Sequence, residues 1–325
     1  MKIMTKLIYS AFVVVVLAIG AVTANGALND LFVSINADGT NGNGSIYEYT
    51  PTGVQSLFAS GLSEPRGMAF DRFGNLFVAN MTCDATTCQG TIVKITPDGV
   101  QSTFATLSQG NFQPEGVAFD HAGNLFVIAI DLTDDPNFAS TIYKFTPDGV
   151  QSTFGTLPFQ SFGVAFDSTG NLFAACAGVP DVANSASIYK FTPDGTRSVF
   201  ADQSAFGPFT GPIGLAFDRF GNLFASTEAA TPAGTDTVIK FTPNGVGSPF
   251  ATDLDWPRGL AFDRSGNLFV AERGVFAPPG DVLKFTPDGN GTVFAPDLDD
   301  PHFLALQLVP PVRPRPTPHP RPTLQ

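Results

Sequence analysis

One phrase recurs through this chain at a spacing of 44 to 51 residues, and no other feature constrains the fold as strongly. It reads Pro65-Arg-Gly-Met-Ala-Phe-Asp-Arg-Phe-Gly-Asn-Leu-Phe-Val78. It returns over Pro114–Val127, Ser161–Ala174, Pro212–Ala225 and Pro257–Val270. A second phrase, Thr-Pro-Asp-Gly or a close variant, alternates with it and starts at Thr50, Thr96, Thr146, Thr192, Thr242 and Thr286. A fixed period of this length marks a repeat architecture, in which each unit buries its apolar face only by stacking on its neighbours.

Within one repeat the residues divide into four short β-type runs. In the second full copy these are Gly116–Asp120, Leu125–Ile130, Thr141–Phe145 and Val150–Phe154. Turns separate them, with Gly123 able to take positive φ in the first and Pro147 placed early in the next. Four antiparallel strands per repeat, with no helical periodicity, predict a β-propeller blade. The chain ends complete the count. Asn29–Ser34 matches a second run without a first, and Pro301–Gln307 a first run without a second. Joined, they make one more blade and remove an exposed sheet edge. The expectation is an all-β, six-bladed propeller of four-stranded antiparallel blades over residues 28–309, its ring closed by the N- and C-terminal strands sharing one blade.

The excess of phenylalanine, 32 residues, fits this scheme. Phe77, Phe126 and Phe224 sit at one register in second strands, and Phe104, Phe154 and Phe250 at one register in fourth strands. A residue repeated at one register packs between blades, so these rings read as core rather than as a ligand platform.

The net charge of −12 disfavours nucleic acid or an anionic membrane as a partner. Residues 1–24 read as an export signal, with Lys2 and Lys6 ahead of the apolar run Leu7–Val22 and small residues at Val22-Thr-Ala24. That predicts a secreted, extracellular or periplasmic protein, not inserted in a membrane once the signal is cleaved. Cys83 and Cys88, close together in such a protein, suggest a disulfide, while Cys176 in an apolar run reads as a buried thiol. Residues 310–325 are Pro-rich and basic through Arg313, Arg315 and Arg321, which predicts a disordered or extended tail.

The phrase Pro-x-Gly-Leu-Ala-Phe-Asp-x-x-Gly-Asn-Leu-Phe-Val resembles the NHL repeat and the related six-bladed propellers of the gluconolactonase and senescence-marker-protein family. That resemblance implies a divalent-metal site built from Glu, Asn and Asp, each placed just before the Gly of a first strand. The equivalent positions are Arg66, Glu115, Phe162, Ile213, Arg258 and His302. Only Glu115 keeps the pattern; Phe162 and Ile213 cannot ligate, and Arg66 and Arg258 repel a cation.

A second ring is expected after the second strands, at Ile35, Asn80, Ala129, Cys176, Thr227 and Glu272. Together the rings give a half-polar, half-apolar channel mouth. Its candidate ligand-binding residues are Arg66, Asn80, Glu115, Phe162, Ile213, Arg258, Glu272 and His302. Arg66 with Glu115, and Arg258 with Glu272, are the expected ion pairs. The main functional expectation is a non-catalytic ligand- or partner-binding scaffold, acting as a monomer on a small molecule, peptide or extracellular protein. The alternative is a gluconolactonase-like hydrolase or a lyase using Glu115, Glu272 and His302 at the channel mouth. No cofactor is expected outright. Ca2+ or another divalent metal remains open through Glu115 or through Asp38, Asn41 and Asn43 in the loop Asn36–Gly44.

Overall fold

The structure, a computed structural model, describes residues 29–308 apart from 37–41, 84–86, 108–110, 134–136, 180–181, 183–184, 208–209, 230–235 and 275–278. The expected signal segment, the Pro-rich tail, and Asp38 and Asn41 lie outside the described residues.

Twenty-four strands form six four-stranded antiparallel sheets. The first sheet holds β1 (Leu31–Ile35), β2 (Gly44–Tyr49) and β3 (Gln55–Leu62). The second holds β4 (Glu64–Phe70), β5 (Leu76–Cys83), β6 (Cys88–Ile95) and β7 (Gln101–Thr106). The third holds β8 (Phe112–Phe119), β9 (Leu125–Asp131), β10 (Ser140–Phe145) and β11 (Gln151–Leu157). The fourth holds β12 (Ser161–Phe166), β13 (Leu172–Cys176), β14 (Ser187–Phe191) and β15 (Arg197–Asp202). The fifth holds β16 (Thr210–Phe217), β17 (Leu223–Ala229), β18 (Asp236–Phe241) and β19 (Gly247–Leu254). The sixth holds β20 (Pro257–Phe262), β21 (Leu268–Glu272), β22 (Gly280–Phe285) and β23 (Gly291–Leu298). The last strand, β24 (Pro301–Leu306), returns to the first sheet and pairs with β1 in the register Leu31↔Leu306 and Phe32↔Ala305. The ring is a six-bladed propeller closed by the two ends of the chain.

The constant residues of the repeated phrase build this frame. In the turn between β4 and β5, one Asp71 oxygen accepts from the backbone N–H of Phe73 and Asn75, and the other accepts from the Asn75 amide at 2.7 Å. The backbone then takes φ of 83° at Gly74, a region glycine enters without a Cβ clash. The same Asp–Asn clasp recurs at Asp120–Asn124, Asp167–Asn171, Asp218–Asn222 and Asp263–Asn267. Each clasp satisfies polar groups a tight turn leaves unpaired.

Between blades, second-strand Phe rings are gripped edge-on by two others. Phe77 meets Phe104 of its own blade at 4.9 Å and Phe119 of the next at 5.1 Å. Phe126, Phe173 and Phe224 repeat the arrangement. Edge-to-face geometry adds roughly 0.5–1.5 kcal/mol per pair beyond area burial, so these rings are structural. Cys83 and Cys88, facing one another at the end of the β5–β6 ladder, form a disulfide.

Candidate functional site at the channel mouth

The innermost strands β4, β8, β12, β16, β20 and β24 line the axis. Each of the six carries a register shift at the dipeptide that begins with the variable residue, for example between Pro212 and Leu215 in β16. A bulge re-aims the side chain it carries, and so it lifts Arg66, Glu115, Phe162, Ile213, Arg258 and His302 out of plain strand alternation. The glycine that follows is a packing requirement. A Cβ on Gly67, Gly116, Gly163 or Gly214 would run into the backbone carbonyl of Glu115, Phe162, Ile213 or Arg258 in the next blade. Ser226 ties this contact in blade five, accepting from Gly214 N–H at 2.8 Å and donating to the Arg258 carbonyl at 2.7 Å.

The ring splits into a charged arc and an apolar arc. In the charged arc Arg66 pairs with Glu115 and with Glu64, both at 3.0 Å. Glu115 is fully buried, and also accepts from the Gln113 amide. Burial pushes its carboxyl above the usual range, against the pull of Arg66. His302 faces Asp300 through Nε2 at 2.9 Å. Burial, reinforced by Arg258 and Arg66, pushes its imidazole down to about 3, so it is neutral at pH 7. Asp300 also takes the Arg273 guanidinium. Despite burial, His302 and Arg273 hold Asp300 below the usual carboxylate range.

Arg258 pairs with Glu228 at 3.1 Å, not with Glu272 as the sequence reading expected. Its guanidinium lies 5.5 Å from the centre of the Phe162 ring. It thereby reaches across the ring to the apolar arc. Glu272 instead accepts from the Asp255 backbone N–H at 2.9 Å; burial and neighbouring Asp255, Asp281 and Asp236 raise it to about 7.

Beside the apolar arc lies a cavity of about 380 Å³. Phe162, Ile213, Val179 and Trp256 form its apolar wall, and Glu228 brings a carboxylate to it. The expected second ring is displaced from this cavity by one residue. Ala177 and Glu228 line it, whereas Cys176 and Thr227 do not. The ladder gives the reason: Thr227 pairs with Pro212 and Glu228 with Gly211, and side chains alternate between faces at every residue. Thr227 is consequently spent on Thr237. Asn80 accepts from the Ser63 backbone N–H and reaches Thr91. Ile35, Ala129 and Cys176 are buried in the blades. Glu228 and Trp256 are the residues the sequence reading missed. The available signal was the alternation itself, counted one position beyond Thr227.

The divalent site implied by the family resemblance does not fit these residues. Glu115, the one ligand type kept, is held by Arg66 with Arg258 close enough to act on its charge. Among the described residues no group of three His, Cys, Asp or Glu side chains is placed to hold a metal ion.

No family model and no curated protein matches the chain by sequence. Solved structures match it by fold. A gluconolactonase of Xanthomonas campestris is 16% identical, over 76% of this chain and 84% of that one, with a TM-score of 0.54. A calcium-binding regucalcin of Agrobacterium tumefaciens is 14% identical, over 85% and 95%, with a TM-score of 0.56. The PQQ-bound aldose sugar dehydrogenase of Streptomyces coelicolor is 17% identical, over 76% and 86%, with a TM-score of 0.55. The chain has the six-bladed propeller fold of these gluconolactonase- and regucalcin-like proteins.

Proposed function

We propose that the chain is a small-molecule hydrolase of the lactone and ester class, working at the cavity between Phe162, Ile213 and Trp256 without a metal ligand set. One observation carries this reading: the Glu228–Arg258 pair stands where the apolar cavity meets the buried charged arc. A carboxylate at a cavity wall suits a general base, and a guanidinium beside it suits a developing oxyanion. Glu228 takes a proton from water while the water oxygen bonds to the substrate carbonyl carbon. The carbonyl electron pair moves onto its oxygen, facing Arg258. Collapse re-forms the C=O bond, breaks the bond to the leaving oxygen and returns the proton from Glu228 to that oxygen. His302 and Asp300, behind Arg258, act as positioning residues. Glu115 and Glu272, each committed to a partner, stay outside the chemistry. Fold likeness to a gluconolactonase and a sugar dehydrogenase supports turnover over the scaffold role. The export-type N-terminus and the Cys83–Cys88 disulfide support an oxidising, extracytoplasmic location.

A screen of aryl esters and small lactones tests it. The expected result is turnover that survives EDTA and falls about 10²-fold or more in Glu228→Gln. Turnover that EDTA abolishes, or that Glu228→Gln retains in full, contradicts it. A purely binding role is favoured by one observation, the internal pairing of Arg66 with Glu115 and Glu64. Ligand binding in the same cavity with no turnover across the screen would establish that second reading.

A further inference from the structure

The charges around the cavity are unevenly distributed, and the imbalance specifies its occupant. Among the described residues of its wall, Glu228 alone is charged. The Trp256 turn forms one side, and carboxylates stand behind it. Asp236 accepts from Ala229 N–H at 2.7 Å and from Trp256 N–H at 3.1 Å. Glu272 accepts from Asp255 N–H. Asp281 accepts from Asp297 N–H at 3.0 Å. None of Asp236, Glu272 and Asp281 takes part in an ion pair among the described residues. The nearby cations are already committed, Arg258 to Glu228 and Arg273 to Asp300. The side of the cavity away from this turn offers Gln160, Val179, Val182 and Ser185, all uncharged.

The cavity thus combines aromatic rings, apolar walls and a surplus of negative charge. We propose that it takes an organic cation, an ammonium or substituted amine carried on an apolar body, seated against Trp256 and Phe162 with its charge towards Glu228. Both rings already have a guanidinium near them, Arg273 at 5.6 Å from Trp256 and Arg258 at 5.5 Å from Phe162. These guanidinium groups take the ring faces, so the rings meet the ligand's apolar body while Glu228, with Asp236 behind the Trp256 turn, meets its charge. Burial raises Asp236 to about 6 against two backbone hydrogen bonds, and repulsion from Glu228 and Asp255 adds to the rise. A bound cation relieves that repulsion; a bound anion adds to it. The volume of about 380 Å³ admits one ring with a short charged arm, near the lower end of ordinary ligand pockets. This inference rests on reading the cavity as the substrate site and names the substrate class.

Trp256 is the only tryptophan in the chain, so fluorescence excited selectively at the indole, away from the tyrosines, reports from the wall of this cavity. The full-length protein is titrated with benzyltrimethylammonium, benzylamine, benzyl alcohol and benzoate, which share a ring and differ in charge. The expected result is binding of both cations at least about tenfold tighter than benzyl alcohol, with benzoate weakest. In Glu228→Gln, folded by circular dichroism, the cations weaken about tenfold and benzyl alcohol is unchanged. Equal or tighter binding of benzyl alcohol or benzoate to the wild-type protein overturns the inference, and so does the absence of a fluorescence response to either cation. Cation binding without turnover of any ester sustains it and sinks the hydrolase. Ester turnover with no preference between cationic and neutral esters sinks it and leaves the hydrolase standing.

Discussion

Glu272 and His302 respond to pH in opposite directions. The Glu272 carboxyl, raised to about 7 from the ordinary 4.5, binds its proton more tightly in the folded state. Its contribution to stability is full below about pH 4.5 and is lost as pH rises through 7. His302, pushed from 6.5 to about 3, prefers the neutral form in the fold. Its contribution is full above about pH 6.5 and is lost as pH falls towards 3. The two slopes oppose each other between about pH 4.5 and 6.5. Glu272→Gln keeps an acceptor for Asp255 N–H and removes one of them. Relative to wild type, this variant is expected to gain stability as pH rises from about 5 to 8, read from urea midpoints at each pH. A constant offset would mean that Glu272 does not titrate differently on folding. Neither shift was legible in the sequence, because each depends on which carboxylates and guanidinium groups the blades bring together.

At the level of the element, the X-Gly dipeptide of five of the six innermost strands carries the design, with His302-Phe303 in its place in β24. The residue before the glycine varies, and a bulge aims it; the glycine is constant because a neighbouring backbone occupies the space of its Cβ. Gly214→Ala sets a methyl against the Arg258 carbonyl, a backbone atom with little freedom to move. Overpacking of this kind costs about 1–3 kcal/mol, here towards the upper end, and the Gly214–Ser226 hydrogen bond is strained as well. Chemical denaturation measures it; a loss below about 0.5 kcal/mol would show that the ring of strands is loosely packed. The sequence disclosed the variable position and the turn chemistry, since the Asp–Asn clasps and Thr-Pro turns are local. It concealed the second ring, because one residue of register decides whether Thr227 or Glu228 meets the cavity. A bulge, which no local pattern announces, sits between the strands that set that register.

For the molecule as a whole, closure of β24 onto β1 makes a ring that gathers the six variable positions at one mouth. Four of the six variable positions form a polar arc, each held by a partner side chain, and Phe162 and Ile213 form the apolar remainder. The end-matching that predicts the sixth blade and the ring closure needs only sequence. The placement of the cavity needs the fold, because Phe162, Glu228 and Trp256 come from three different parts of the repeat. The proposed chemistry belongs to Glu228 at this cavity and not to Glu115, the glutamate that resembles a metal ligand. The most direct test compares kcat/KM of Glu228→Gln and Glu115→Gln on the best ester or lactone substrate, in the presence of EDTA. The expected result is a loss of about 10²-fold or more in Glu228→Gln and a change within about threefold in Glu115→Gln. The reverse pattern, with activity lost in Glu115→Gln and kept in Glu228→Gln, would contradict it.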